Sequence, residues 1–172
     1  GILHHCSARN AGKRGELGER FRQRRQPSLE AHRANWADAI AYNNHDVDDG
    51  LRSGLLTEAA LHAVPLFRRH HVPLLDANPE ASRRALIHES IRGMINEVVS
   101  DMVATTSANI TAHQPRSIGD VRALGRPLVA LSPAARSAHL TLKRFLYRHL
   151  YRHERVLSVT SRAQDILKSL FS

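Results

Sequence analysis

The sequence predicts an all-α fold, and three observations carry that reading. Aromatic residues make up only 5% of the 172-residue chain, so an apolar interior must be built from Leu, Ile, Val and Ala. That composition suits packed helices better than a β-sandwich. Apolar positions recur at helical spacing over long stretches, and Pro-Ser, Asn-Pro and Ser-Pro pairs punctuate them. No strand pattern longer than PLVAL occurs. With 42% hydrophobic residues, the length fits one helical domain over residues 1–172 with a core of its own.

The elements follow in order. Residues 1–27 are rich in Gly, Arg and Glu, and the glycines at 12, 15 and 18 predict loop or short helix, with Leu17 and Phe21 spaced for one helical contact. Pro27-Ser28 reads as a helix start with Ser28 as N-cap. From Leu29 to about Asp49 the pattern is helical, with Trp36, Ile40, Val47 and Leu51 on one side. Gly50 and Gly54 bracket an expected break. Thr57 is expected to cap a short helix through Phe67, with Pro65 near its end, and RRHHVPLLDANP reads as a loop. Asn78-Pro79 reads as the start of a long helix through EASRRALIHESIRGMINEVVSDMVATTS. QPRSIGDVRALGRPLVALS is expected to be an irregular surface excursion. Ser132-Pro133 starts a helix running to about Arg152, and a last helix covers SVTSRAQDILKSLF; Leu142, Phe145, Leu146, Leu150 and Val156 fall near helical spacing and read as core, with a subunit interface as the alternative.

Charge narrows the function classes. The chain carries 25 Lys+Arg against 16 Asp+Glu, a formal net charge of +9, which invites a polyanion: nucleic acid or a phosphorylated small molecule. The densest basic run is RFRQRRQ, from Arg20 to Gln26; nucleic-acid binding competes there with a solvated loop. Cys6 is the only cysteine, which excludes an intrachain disulfide and a thiolate zinc cluster and points to a reducing, cytoplasmic setting. No apolar run approaches the roughly 18–20 residues that span a bilayer, so no membrane partner is expected. GILHHCSARN lacks both a starting Met and a signal-peptide core, as expected of a chain processed or excised from something longer.

Against this basic background, NWADAIAYNNHDVDDGLRSGLL gathers acids on one helix. Asp38, Tyr42, Asp46 and Asp49 fall on roughly the face opposite Trp36, Ile40, Val47 and Leu51. Like charges this close raise one another's pKa, so the stripe calls for a cation, a metal or hydrogen-bond donors. A solvated helix face is the competing reading. Tyr42 is an odd choice for such a face, and acids crowding a helix C-terminus oppose the macrodipole. Among the 12 histidines, His149 and His153 stand four apart, but no acid completes an HExxH pattern, and they read as surface or interface residues.

ANWADAIAYNNHDVDDGLRSGLL closely resembles a segment of the bacterial deoxyguanosine triphosphate triphosphohydrolase-like proteins, of the HD superfamily of metal-dependent phosphohydrolases. The likeness continues through GILHHCSARN, RQPSLEAHRAN, HESIRGMINEVVSDMV, KRFLYRHLYRHERV and AQDILKSLF, and is weakest around residues 107–130. The resemblance implies an HD-superfamily-like helical fold and hydrolysis of deoxynucleoside triphosphates to deoxynucleoside and triphosphate. It implies that Asp38 supplies the last ligand of a divalent metal (Mg, Mn or similar), that Tyr42 packs on the deoxyribose and that Asp46 bonds the sugar hydroxyl. A hard cation takes carboxylate oxygen, and a metal-bound water becomes a nucleophile near neutral pH. Arg83 and Arg84 are the candidates for the triphosphate oxygens. Family members assemble as multimers, so a homo-oligomer is implied as well.

The family's further metal-binding histidines and aspartate stand upstream of this helix, and the residues before Asp38 contain no HD dipeptide. His45-Asp46 lies on the acidic helix itself and reads as coincidence. The expectation is therefore a C-terminal portion of a longer hydrolase, its metal site incomplete and inactive alone. A non-catalytic basic module for nucleic acid and a regulatory or oligomerisation subunit are the alternatives.

Overall fold

The computed structural model describes residues 26–170, and every regular element among them is helical. They are α1 (Leu29–Arg52), α2 (Glu58–Leu61), α3 (Pro65–Ala77), α4 (Arg83–His113), α5 (Ile118–Ala123), α6 (Pro133–Leu146), a π-helical turn π1 (Tyr147–Tyr151) and α7 (Glu154–Leu170). The all-α expectation holds. Expectations for Cys6, for Leu17 with Phe21, and for RFRQRRQ up to Arg25 lie outside the described residues.

Two starts are as expected. Ser28 Oγ accepts the Ala31 amide at 3.3 Å ahead of α1, and Thr57 Oγ1 accepts the Ala60 amide at 3.2 Å ahead of α2. Other boundaries differ. Gly50 does not break α1; it is buried inside it, where an added Cβ would stand 2.5 Å from Leu56 Cδ1. The turn comes at Gly54, whose φ of +71° favours glycine. Pro65 starts a helix instead of ending one, because at the first position its missing N–H costs nothing. The stretch read as a loop is α3, with Pro73 inside it. Burial of Leu66, Phe67 and His71 on this helix offsets a proline cost of about 3 kcal/mol.

Asn78 closes α3 rather than opening α4: its backbone N–H bonds the Leu74 carbonyl at 3.0 Å. The next helix starts at Arg83, where Ser82 Oγ accepts the Ala85 amide at 3.2 Å. The expected irregular excursion contains α5, held by a capping box between Ser117 and Asp120. The expected single helix to Arg152 changes to π winding at Tyr147, with the Arg152 amide bonding the Tyr147 carbonyl at 3.2 Å.

The described chain divides into two compact units. In one, comprising residues 26–39 and Val99–Ser132, the segment after α4 is tied back to that helix. Asn109 Nδ2 donates to the Leu128 carbonyl at 2.9 Å, while Asp101 accepts the Ser132 amide at 2.8 Å and its hydroxyl at 2.6 Å. The PLVAL stretch is buried here at Leu128, Val129 and Leu131 without forming a strand.

The other unit comprises Ile40–Val98 and residues 133–170. Its fully buried side chains include Leu61, Leu66, Phe67, Met94, Leu142 and Leu146, and α3 packs on α6. Of the expected core residues, Leu142, Leu146 and Leu150 are buried, whereas Phe145 and Val156 are only half-buried. Inside this apolar setting His71 makes a fixed set of bonds. Ser90 Oγ lies 2.7 Å from the Leu86 carbonyl, to which it donates, and 3.0 Å from His71 Nδ1. His71 Nε2 donates to Glu58 Oε2 at 2.9 Å.

Candidate functional site

The stripe read from the sequence sits on α1, which runs unbroken through Asp38, Tyr42, Asp46 and Asp49. Its residues do not share one environment. Asp38 and Asp49 are exposed, Tyr42 is 60% exposed, and Asp46 is half-buried. Exposed large aromatics on a helix need a reason, since burying such a ring is worth ~2 kcal/mol.

Asp46 has a partner no spacing rule could name: the Tyr151 hydroxyl on π1 donates to its Oδ2. Burial raises the Asp46 carboxyl, the Tyr151 hydrogen bond lowers it, and the charge of Asp49 raises it again, leaving it above its ordinary value. Tyr151 is raised too, by burial first, then by the bond to Asp46 and the charges of Asp46 and Tyr42. It stays a neutral donor. Tyr147 meets Tyr151 edge-on at 6.5 Å between ring centroids, and the Arg152 guanidinium lies 5.5 Å from the Tyr147 centroid. The π turn sets this arrangement by shifting the helical register at Tyr147.

Behind this group, Asn43 Nδ2 meets His139 Nε2 at 3.3 Å, linking α1 to α6 inside the core. His139 is lowered, by burial first and then by the charge of Lys143, so its ring is neutral and Nε2 accepts from Asn43.

The two arginine candidates are exposed, and each has a carboxylate partner. Arg83 Nε bonds Glu58 Oε1, and Arg84 Nη1 lies 3.7 Å from Asp48 Oδ1. Burial raises Glu58, but bonds from Arg83 and His71 and their charges outweigh it and hold the carboxyl below its ordinary value. His88 Nε2 also approaches Asp48 Oδ1, at 3.8 Å. His149 stacks on Phe145 at 4.3 Å, and His153 lies beyond π1 outside any helix, so the four-residue spacing forms no two-histidine face.

No group of three or more His, Cys, Asp and Glu among the described residues is placed to hold a metal ion. Asp38 is a single exposed carboxylate, fewer than the three protein ligands a catalytic metal usually takes. The described residues therefore do not form a metal site by themselves. No helix among them is long and apolar enough to cross a membrane.

Comparison with known proteins agrees with the resemblance. Residues 129–172 match the phosphohydrolase-associated domain. The chain is 50% identical over 171 residues to the deoxyguanosinetriphosphate triphosphohydrolase-like protein of Ralstonia nicotianae, covering 99% of this chain and 44% of that one. The protein of that name from Bordetella pertussis gives the same identity and coverage. That from Thiobacillus denitrificans is 46% identical, over 100% of this chain and 46% of its own. The chain thus spans less than half the length of these relatives. The similarity to proteins named deoxyguanosinetriphosphate triphosphohydrolase-like thus extends over nearly every residue of this chain.

Proposed function

We propose that this chain forms the C-terminal portion of a deoxynucleoside triphosphate triphosphohydrolase and supplies its sugar-binding wall. The observation that carries the reading is the near-complete match to relatives so named, with Asp38, Tyr42 and Asp46 at the spacing that the resemblance assigns to the site. In this reading the exposed Tyr42 ring offers a flat face to C2′ of a deoxyribose, where a ribose hydroxyl would clash. Asp46, oriented by the Tyr151 hydroxyl, accepts a hydrogen bond from the sugar hydroxyl. Asp38 is one carboxylate of a divalent-metal site whose other ligands come from outside the described residues; the metal supplies an activated water when bound. Arg83 and Arg84 reach phosphate oxygens by exchanging the Glu58 and Asp48 carboxylates for them. A homo-oligomer and a cytoplasmic setting belong to the same proposal.

The test is triphosphate release from dGTP, with Mn²⁺ or Mg²⁺, by the chain extended upstream. Release abolished by Asp38→Ala, and discrimination against GTP lost in Tyr42→Ala, is the expected result. An extended chain that releases no triphosphate, or an Asp38→Ala variant with unchanged release, overturns the reading.

A further inference from the structure

No residue of α7 is buried, although the helix is 17 residues long and strongly sided. At about 100° per residue, Val156, Val159, Ala163, Ile166, Leu167 and Leu170 fall within an arc of about 120°. Val156 is half-buried and the others are exposed, Val159 by 69% and Leu170 by 71%. In proteins such a helix draws most of its stability from packing its apolar face. The described residues leave this one open.

The charges on α7 are sorted with respect to that stripe. Arg155 and Arg162, seven residues apart, stand along one border of it, whereas Glu154 and Asp165 lie on the opposite face. Both arginines are exposed, and among the described residues neither has a carboxylate within ion-pair distance. Lys168 pairs with Asp165 at 3.7 Å, away from the stripe. Residues 143–170 together carry seven Lys or Arg against two Asp or Glu. Bases beside an apolar arc, with acids behind it, suit a helix lying in a bilayer interface. Its apolar side chains then enter the acyl boundary while its arginines reach anionic headgroups.

Other covers leave part of this unexplained. A second copy of α7 paired along the stripe would bring no acid to Arg155 and Arg162, because its own acids face away as well. A polyanion without an apolar surface would meet the arginines and leave the stripe in water. An anionic bilayer surface answers both. Such a helix lies on a membrane instead of crossing it, so the length needed to span a bilayer does not enter.

We propose that α7 is an interfacial helix that docks the protein on an anionic lipid surface, with Val159, Ile166, Leu167 and Leu170 in the membrane interface and Arg155 and Arg162 at headgroup phosphates. The proposal does not rest on the triphosphohydrolase reading.

The experiment is co-sedimentation of the intact protein with phosphatidylcholine vesicles, with and without about 30% phosphatidylglycerol. The anionic vesicles are expected to bind at least about tenfold more tightly, and the more weakly the higher the salt. R155Q/R162Q should lower that affinity about tenfold. I166S/L167S should weaken binding to the anionic vesicles at least about tenfold. Both pairs are exposed, so the fold is expected to survive; circular dichroism checks it, and L170S serves if I166S/L167S unfolds the chain. An intact protein that ignores anionic vesicles overturns the proposal, and self-association abolished by I166S/L167S would then give the stripe to a second copy. Undiminished binding by the folded apolar variant overturns it too, since charge alone would be holding the protein. So do equal affinities for the two kinds of vesicle.

Discussion

The Tyr151 hydroxyl donates a hydrogen bond to the Asp46 carboxylate, joining residues 105 apart in the chain. This bond fixes the orientation of one member of an acidic stripe and ties π1 to α1. Tyr151→Phe deletes the donor and keeps the ring, so stability should fall by about 1 kcal/mol, measured by chemical denaturation. The same variant should raise the Asp46 carboxyl further, since its strongest lowering influence is gone. A carboxyl raised in the folded state keeps its proton to higher pH than in the unfolded chain. Stability attributable to Asp46 is therefore lost as pH rises from its ordinary value of 3.8 through the raised one. In Tyr151→Phe that loss should extend to higher pH.

His139 sets a pH dependence of the opposite sign. Its folded value lies below its ordinary 6.5, so the unfolded chain binds the proton first. Stability is full above 6.5 and declines as pH falls toward the folded value. Glu58, also lowered, adds a second decline below its ordinary 4.5. Denaturation midpoints measured against pH should show both, and His139→Gln should remove the upper one.

Gly50 and Gly93 should respond differently to alanine. At Gly50 the new Cβ meets the buried Leu56 side chain at 2.5 and 2.7 Å, within the core. Overpacking there should outweigh the gain in helix propensity and destabilise by about 1–2 kcal/mol. At Gly93 the Cβ meets the His70 ring at 2.6 Å, but that ring is part-exposed and can swing away from Glu97. Near-neutral stability is expected, because a helix gain of about 1 kcal/mol offsets the lost contact. Thermal unfolding of the two variants makes the comparison.

His71 is held inside the core by bonds to Ser90 and Glu58. His71→Leu leaves Glu58 without a buried donor and should cost about 2 kcal/mol in chemical denaturation.

Local chemistry settled much of this molecule from the chain alone. The all-α class, the Ser28 and Thr57 caps, the helix beginning at Leu29 and the buried Leu142, Leu146 and Leu150 all follow from side-chain spacing and from groups a few residues apart. The stripe of Asp38, Tyr42 and Asp46 was legible for the same reason, since one helix carries it.

Only the tertiary structure decided where local signals compete. Asn78-Pro79 and Ser82 both offer a helix start, and the chain uses Ser82 while Asn78 closes the preceding helix. Pro73 is tolerated in α3 because Leu66, Phe67 and His71 are buried on that helix, and Gly50 continues α1 because Leu56 needs the space of its missing side chain. The partners of Asp46, His71 and His139 lie 13 to 105 residues away, and the π turn that aims Tyr151 has no signature in the order of its residues. Spacing determines which side chains share a face; what that face meets depends on contacts made only when distant segments pack.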